Sequence, residues 1–188
     1  PDHASARLNE TASATVTAAG ADLQYRWFVK ESGADSFDES SVSGATYSSK
    51  MTEDADGWEL YCVITDAFGN TVTSNTVQLR LMVTITAQPQ DVAVGLGETA
   101  AVSVSACGKE LVYQWYFANS GSDAFALTTS FRGNSYSVEM NRERDGRRVY
   151  CVITDRYGNQ ATTDTVTLSM DHTHSYDLTV TEPTCTEG

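Results

Sequence analysis

A chain of 188 residues with 12 basic and 25 acidic side chains, a net charge of −13, is a poor partner for nucleic acid, because affinity for a phosphate backbone comes from clustered Lys and Arg. The acidity is uneven: residues 1–81 hold 5 basic against 12 acidic side chains, residues 82–170 hold 7 against 9, and residues 171–188 hold none against 4. No apolar run approaches the roughly 20 residues of a membrane-spanning helix, so no membrane insertion is expected. A chain that opens on Pro1 with neither Met nor a leader reads as a piece of a longer polypeptide.

One stretch occurs twice and fixes the organisation. Residues 61–66 and 150–155 both read YCVITD, and each is followed by an aromatic-Gly-Asn at Phe68-Gly69-Asn70 and Tyr157-Gly158-Asn159. Upstream lie Trp27 and Trp115, 88 residues apart, whereas Cys62 and Cys151 are 89 apart. The offset predicts two units, 1–81 and 82–170, followed by a tail over 171–188.

In chain order, residues 10–19 alternate around Ala12, Ala14, Val16 and Ala18, the period of a strand with one buried face. A second strand follows with Tyr25, Trp27 and Val29 on one face and Gln24, Arg26 and Phe28 on the other. A turn at Ser32 to Asp35, a short strand near Phe37 and a strand through Tyr47 lead to the Asp56-Gly57 turn. Leu60, Cys62 and Ile64 then face inward. The hairpin DAFGN has an Asp able to accept from nearby amides and a Gly free to take positive φ. A last strand is predicted over Val72 to Leu79.

From Val77 through Leu79, Leu81 and Val83 to Ile85 the alternation continues with no Gly, Pro or Ser cluster. The last strand of unit one is therefore expected to run almost directly into the first of unit two, giving a semi-rigid pair. Gln88-Pro89 should end that strand, since Pro lacks a donor. Unit two repeats the pattern: Ala100, Val102, Val104 and Ala106; Tyr113, Trp115 and Phe117; a strand near Phe125 and another through Tyr136; Asp145-Gly146; Val149, Cys151 and Ile153; and a last strand over Ala161 to Leu168.

A buried Trp on the third strand followed by a Cys on the sixth points to an all-β chain. The arrangement is two tandem immunoglobulin-like β-sandwiches, each of two packed antiparallel sheets in Greek-key order. The inter-sheet disulfide of antibody domains would need a second Cys at Val16 and Val104. Cys62 and Cys151 are thus read as reduced, buried thiols, with Cys107 beyond the regular strand. Leu60 and Val149 stand where many such domains carry the corner Tyr.

The set Ile85-Thr86-Ala87-Gln88-Pro89, Gly97-Glu98-Thr99-Ala100, Tyr113-Gln114-Trp115-Tyr116, Asp145-Gly146 and Cys151 to Asp155 resembles the bacterial immunoglobulin-like repeats of large surface proteins from gut Firmicutes. Unit one matches through Glu10-Thr11-Ala12, Tyr25 to Phe28, Asp56-Gly57 and Cys62 to Asp66, and on this alignment the chain starts within its first strand, Pro1-Asp2 matching the Pro89 region. The tail, HTHSYDLTVTEPTCTEG, is similar to the opening of a short surface repeat built as a zinc-ribbon-like knuckle. Here His174 and Cys185 are at most two of the four ligands a structural zinc requires, so no metal or other cofactor is expected in this fragment.

Catalysis is not expected. A nucleophile needs a partnered base, and the histidines are His3, His172 and His174, all at the ends. DADGWE at 54–59 has the look of a calcium loop but does not continue as one, and solvated charges around a turn are the plainer reading; unit two has Arg142, Arg144, Arg147 and Arg148 there. The best candidate surface is the outward face of the sheet carrying Trp and Cys. Parity places Phe28, Tyr61 and Val63 on it in unit one and Tyr116, Tyr150 and Val152 in unit two, with Arg148 nearby. Such rings can form a platform for a sugar or a protein, or they can be covered by the next strand and stiffen the sheet through cross-strand pairs.

The resemblance implies a non-catalytic extracellular spacer and adhesion segment, at a cell surface or cell wall, monomeric, with a protein or glycan ligand. A carbohydrate-binding accessory module of a secreted glycan-degrading enzyme is the alternative. An immunoglobulin-like inhibitor or decoy is a third reading.

Overall fold

A computed structural model describes residues 1–171, all of whose regular elements are strands. His172, His174 and Cys185 lie outside the described residues. Unit one contains β1 (Ala4–Ala6), β2 (Thr11–Thr15), β3 (Gln24–Lys30), β4 (Asp38–Glu39), β5 (Thr46–Lys50), β6 (Glu59–Thr65), β7 (Thr71–Thr73) and β8 (Val77–Leu81). Unit two contains β9 (Thr84–Ala87), β10 (Val92–Val94), β11 (Thr99–Ser103), β12 (Ser105–Cys107), β13 (Val112–Ala118), β14 (Ala126–Leu127), β15 (Ser135–Glu139), β16 (Arg147–Thr154), β17 (Gln160–Thr162) and β18 (Val166–Met170).

In unit one a sheet of order β1-β8-β6-β3-β4, with β7 also on β6, faces the pair β2–β5. Unit two repeats it as β10-β18-β16-β13-β14, with β17 on β16, against β11–β15. The first strand of each large sheet runs parallel to the last, and the remaining pairs are antiparallel. Strand β2, TASAT, alternates exposed and buried residues without exception. Its inward Ala12 and Ala14 are small, which leaves room in the same core for Trp27. Trp27 lies opposite Cys62 and Trp115 opposite Cys151, all four with no exposed surface. Each indole N–H, which burial would otherwise leave unpaired, donates to a backbone carbonyl: Trp27 to Gly44 and Trp115 to Gly133, both at 2.9 Å.

Val16 and Val104 are buried where a second sulfur would stand, and Cys62, Cys107 and Cys151 are free thiols. Burial pushes the Cys62 thiol up, and that of Cys151 up to about 11. The neutral S–H is the form such a site holds. Cys107 lies beyond β11: after Val104 a separate strand, β12, forms, where Cys107 is buried opposite Thr84 of β9.

The final strand of each unit, expected to be continuous, is broken in two, at Ser74-Asn75-Thr76 and at Thr163-Asp164-Thr165. At the break a hydroxyl replaces the ladder carbonyl. Ser74 Oγ accepts from the Cys62 amide at 3.0 Å and Thr163 Oγ1 from the Cys151 amide at 2.9 Å, while the amides of Ser74 and Thr163 donate back to the cysteine carbonyls. The ladder bonds around the two thiols are thus kept while the strand kinks, the usual reason for a bulge.

The passage between units follows the predicted alternation. Strand β8 ends at Leu81 and β9 begins at Thr84. Leu81 belongs to the first core and Val83, two residues on, to the second. Consecutive inward positions of one extended run therefore serve different cores.

Candidate interaction surfaces

The outward face of each large sheet carries a cluster of three rings. In unit one, β3 and β6 are in register so that Phe28 lies opposite Tyr61. Their rings stack with centroids 5.0 Å apart and planes 10° from parallel, and Phe37, just ahead of β4, meets Tyr61 edge-on at 4.9 Å. In unit two Tyr116 stacks on Tyr150 at 5.0 Å and 7°, with Phe125 edge-on to Tyr150 at 4.9 Å. Parity thus places the predicted residues together in both units. The third ring, Phe37 or Phe125, was assigned only to a short strand; its recurrence at the same place in both units was the signal that it joins the face.

Cations close the edges of both clusters. Arg26 lies over Phe28 and Lys30 over Phe37, each 5.4 Å from the ring centroid. Arg26 is also held by a two-pronged pair of bonds to Glu39, both 2.6 Å, which raises the guanidinium pKa and lowers that of the carboxylate. In unit two Arg148 lies over Phe125 at 5.4 Å and donates to Ser122 O at 2.6 Å and Asp123 Oδ1 at 3.0 Å. The six rings are half-buried, each packed on another ring or under a cation.

Arg147 was grouped with the solvated charges of the turn, and the structure corrects this. Strand parity turns it inward, where it is 9% exposed, with Nε donating to Asn119 Oδ1 at 2.9 Å, Nη1 donating to Tyr136 Oη at 3.0 Å and the guanidinium 4.7 Å from the Phe117 centroid. Polar acceptors and a ring face replace the carboxylate that a buried cation ordinarily finds. At the counterpart position unit one has Trp58, half-buried against the core.

Asp56 is likewise not a solvated charge. It is 4% exposed, and its Oδ1 accepts the Leu81 amide at 2.8 Å. The same oxygen faces Tyr157 Oη of unit two at 3.3 Å, and the Arg80 guanidinium lies 4.9 Å from the centroid of that ring. Burial first, and then Asp56, raise the Tyr157 pKa. Asp155, in the same hairpin, braces the start of unit two. Its Oδ1 accepts from the amides of Tyr157 and Asn159, as the hairpin sequence predicted, and its Oδ2 accepts from the Val83 amide at 3.0 Å. Glu31, Glu53, Asp54, Asp56, Trp58 and Lys109 line an open groove of about 570 Å³ beside this contact. Among the described residues no three His, Cys, Asp or Glu side chains are placed to hold a metal ion. Sequence reasoning missed this junction; the signal was the replacement of Phe68 by Tyr157 in an otherwise repeated hairpin.

No family model matches the chain, and no curated protein matches it. Among solved structures, the four amino-terminal immunoglobulin domains of Dscam1 isoform 9.44 superpose with a TM-score of 0.54 at 14% identity, over 90% of this chain and 43% of that one. The eight amino-terminal immunoglobulin domains of DSCAM isoform 1.30.30 give 0.54 at 14% identity, over 89% and 23%. The two-domain structure of DIP-gamma covers 92% of this chain and 95% of its own at 16% identity, with a TM-score of 0.45. The chain spans less than half of the two Dscam structures. At these identities the likeness to the two Dscam structures establishes the fold alone: two immunoglobulin-like sandwiches in tandem.

Proposed function

We propose that this chain is a non-catalytic extracellular segment of a bacterial surface protein, a stiff spacer whose sheet faces also serve adhesion. Its units are 1–81 and 82–170, with residues 171–188 opening a further module. The observation that supports this reading is the junction. Asp56 and Arg80 of unit one meet Tyr157 of unit two, and the connecting run contributes to both cores. A hinge would need the opposite, a polar run with few bonds. Inserting Gly-Ser residues after Leu81 should broaden the particle-size distribution in small-angle scattering while leaving each unit's melting unchanged. If the parent chain already scatters like two freely jointed spheres, the spacer reading falls.

The alternative, an accessory carbohydrate-binding module, draws on the paired ring clusters. In either case Tyr116, Tyr150 and Arg148 in unit two, and Phe28 and Tyr61 in unit one, are the residues assigned to the ligand, a protein or a glycan. A glycan array beside a pull-down from host surface proteins separates the two readings.

A further inference from the structure

The two outward ring clusters are built alike but flanked differently. Across the sheet from Phe28 stands Glu39; across from Tyr116, at the same register in unit two, stands Leu127. Glu39 holds Arg26 by two bonds of 2.6 Å, and Lys30, further along β3, meets Glu59 of β6 at 2.9 Å. The cations of both pairs also lie over the Phe28 and Phe37 rings, so ion pairs border the cluster of unit one on two sides. In unit two the places of Arg26 and Glu39 are taken by Gln114 and Leu127, and those of Lys30 and Glu59 by Ala118 and Arg148. Neither pair can form there.

Apolar surface replaces them. Leu127 is 46% exposed beside the stacked Tyr116 and Tyr150, and Val112, on the same face of β13, is 56% exposed where unit one has Gln24. The remaining cation, Arg148, is already engaged by Ser122 O and Asp123. A partner covering unit one would strip water from two ion pairs, a cost that can exceed their attraction. Covering unit two removes aliphatic surface from water, which favours association. A sugar laid there would press its hydroxyls onto Leu127 and Val112 with no bonds to receive them, whereas an apolar protein surface gains from both.

We propose that the outward face of unit two, and not that of unit one, is a docking surface for a protein that presents an apolar patch bordered by Lys and Arg. The inference rests on the adhesion part of the proposed function and narrows its ligand residues to unit two. The basic border follows from charge. The chain carries −13, the adjoining unit one holds 5 basic against 12 acidic side chains, and the Asp123 side chain stands fully exposed at the rim of the face. Such a field draws in a partner whose cations surround its apolar centre and repels an acidic one.

A random peptide library displayed on phage and panned on the intact chain supplies the probes, which are then synthesised and titrated. Enriched peptides should join aliphatic or aromatic residues to Lys or Arg. Gln114→Arg with Leu127→Glu, which carries the ion pair of unit one into unit two at the same register, should weaken them by roughly tenfold or more. That exchange leaves the net charge unchanged, so a purely electrostatic attraction would not register it. The reverse exchange, Arg26→Gln with Glu39→Leu, should open a further site on unit one and raise the number of peptides bound per chain; it decides alone if the first exchange unfolds unit two, as a melt would reveal. Enrichment of acidic peptides, no enrichment, or affinity indifferent to the exchanges would overturn the proposal, as would the same face taking a neutral oligosaccharide or a second copy of the chain instead. Peptides that ignore the exchanges but are lost with Tyr116→Ala and Tyr150→Ala would sink this inference and leave adhesion at the rings standing; peptides that ignore both would sink adhesion as well.

Discussion

The hairpins Asp66–Asn70 and Asp155–Asn159 are built alike and used differently. Each Asp accepts from the amides two and four residues on and from the Asn side chain, and each Gly takes a φ near +85°, which its lack of a Cβ permits. Yet Phe68 is 84% exposed, whereas Tyr157 is half-buried between Asp56 and Arg80 and Asp155 also holds the Val83 amide. The local sequence fixes the hairpin's shape. Among the described residues it is the hairpin of unit two that meets a neighbouring unit, through the Tyr157 ring and hydroxyl.

The largest effect that tests the equivalence of the units is removal of the core Trp. Trp27→Ala and Trp115→Ala should each cost about 3–5 kcal/mol in their own unit, read by denaturant melts that follow each unit separately. Equal losses in both units would mean that the units unfold as one, and a loss confined to the mutated unit would show that the junction joins two independently stable cores.

An alkaline titration separates the two thiols. Cys151 is held protonated, with its pKa raised from 9.0 to about 11, and Cys62 is raised in the same direction. A thiol whose folded pKa lies above its unfolded one lends stability that is complete below the unfolded pKa and is lost as pH rises through the folded one. Unit two should therefore lose about 2–3 kcal/mol between pH 9 and 11, and Cys151→Ala should flatten that slope. A slope unchanged in the variant would assign the loss to other groups. Alkylation of the denatured protein should count four free thiols, and a native disulfide through Cys62 or Cys151 would contradict the packing of Val16 and Val104 against them.

The ring clusters give the next comparison. Replacing Tyr116 and Tyr150 together by Ala should weaken any identified ligand by more than about 2 kcal/mol and destabilise unit two less than Trp115→Ala. If ligand affinity is untouched, these rings serve the sheet alone, as their stacking and half-burial also allow.

The smallest effects distinguish the hairpins themselves. Tyr157→Phe should cost about 0.5–1.5 kcal/mol, the worth of one hydrogen bond, and should loosen the junction. Phe68→Tyr, on an exposed ring, should stay within about 0.5 kcal/mol. Similar losses at both positions would show that the Tyr157 hydroxyl contributes nothing beyond its hairpin.

What the sequence discloses here follows strand parity. Period-two alternation placed Trp27, Cys62, Val16 and their counterparts inside and Phe28, Tyr61, Tyr116 and Tyr150 outside, because a strand with one buried face has two choices per residue. The breaks at Ser74 and Thr163 were illegible, since a hydroxyl replacing a ladder carbonyl leaves the alternation on either side intact. Arg147 was misread because charge outweighed parity, although parity turned it inward to acceptors on Asn119 and Tyr136 that lie 28 and 11 residues away. The junction was hidden for the same reason: Asp56 and Tyr157 are 101 residues apart, and only the fold brings them together.

The interlocked junction is tested most directly by small-angle scattering of the chain beside Tyr157→Phe and a variant with Gly-Ser residues inserted after Leu81. A junction held by Asp56, Arg80 and Tyr157 requires a narrow distance distribution in the parent, broadened most by the insertion and measurably by Tyr157→Phe. A parent distribution already as broad as that of the insertion variant would contradict it.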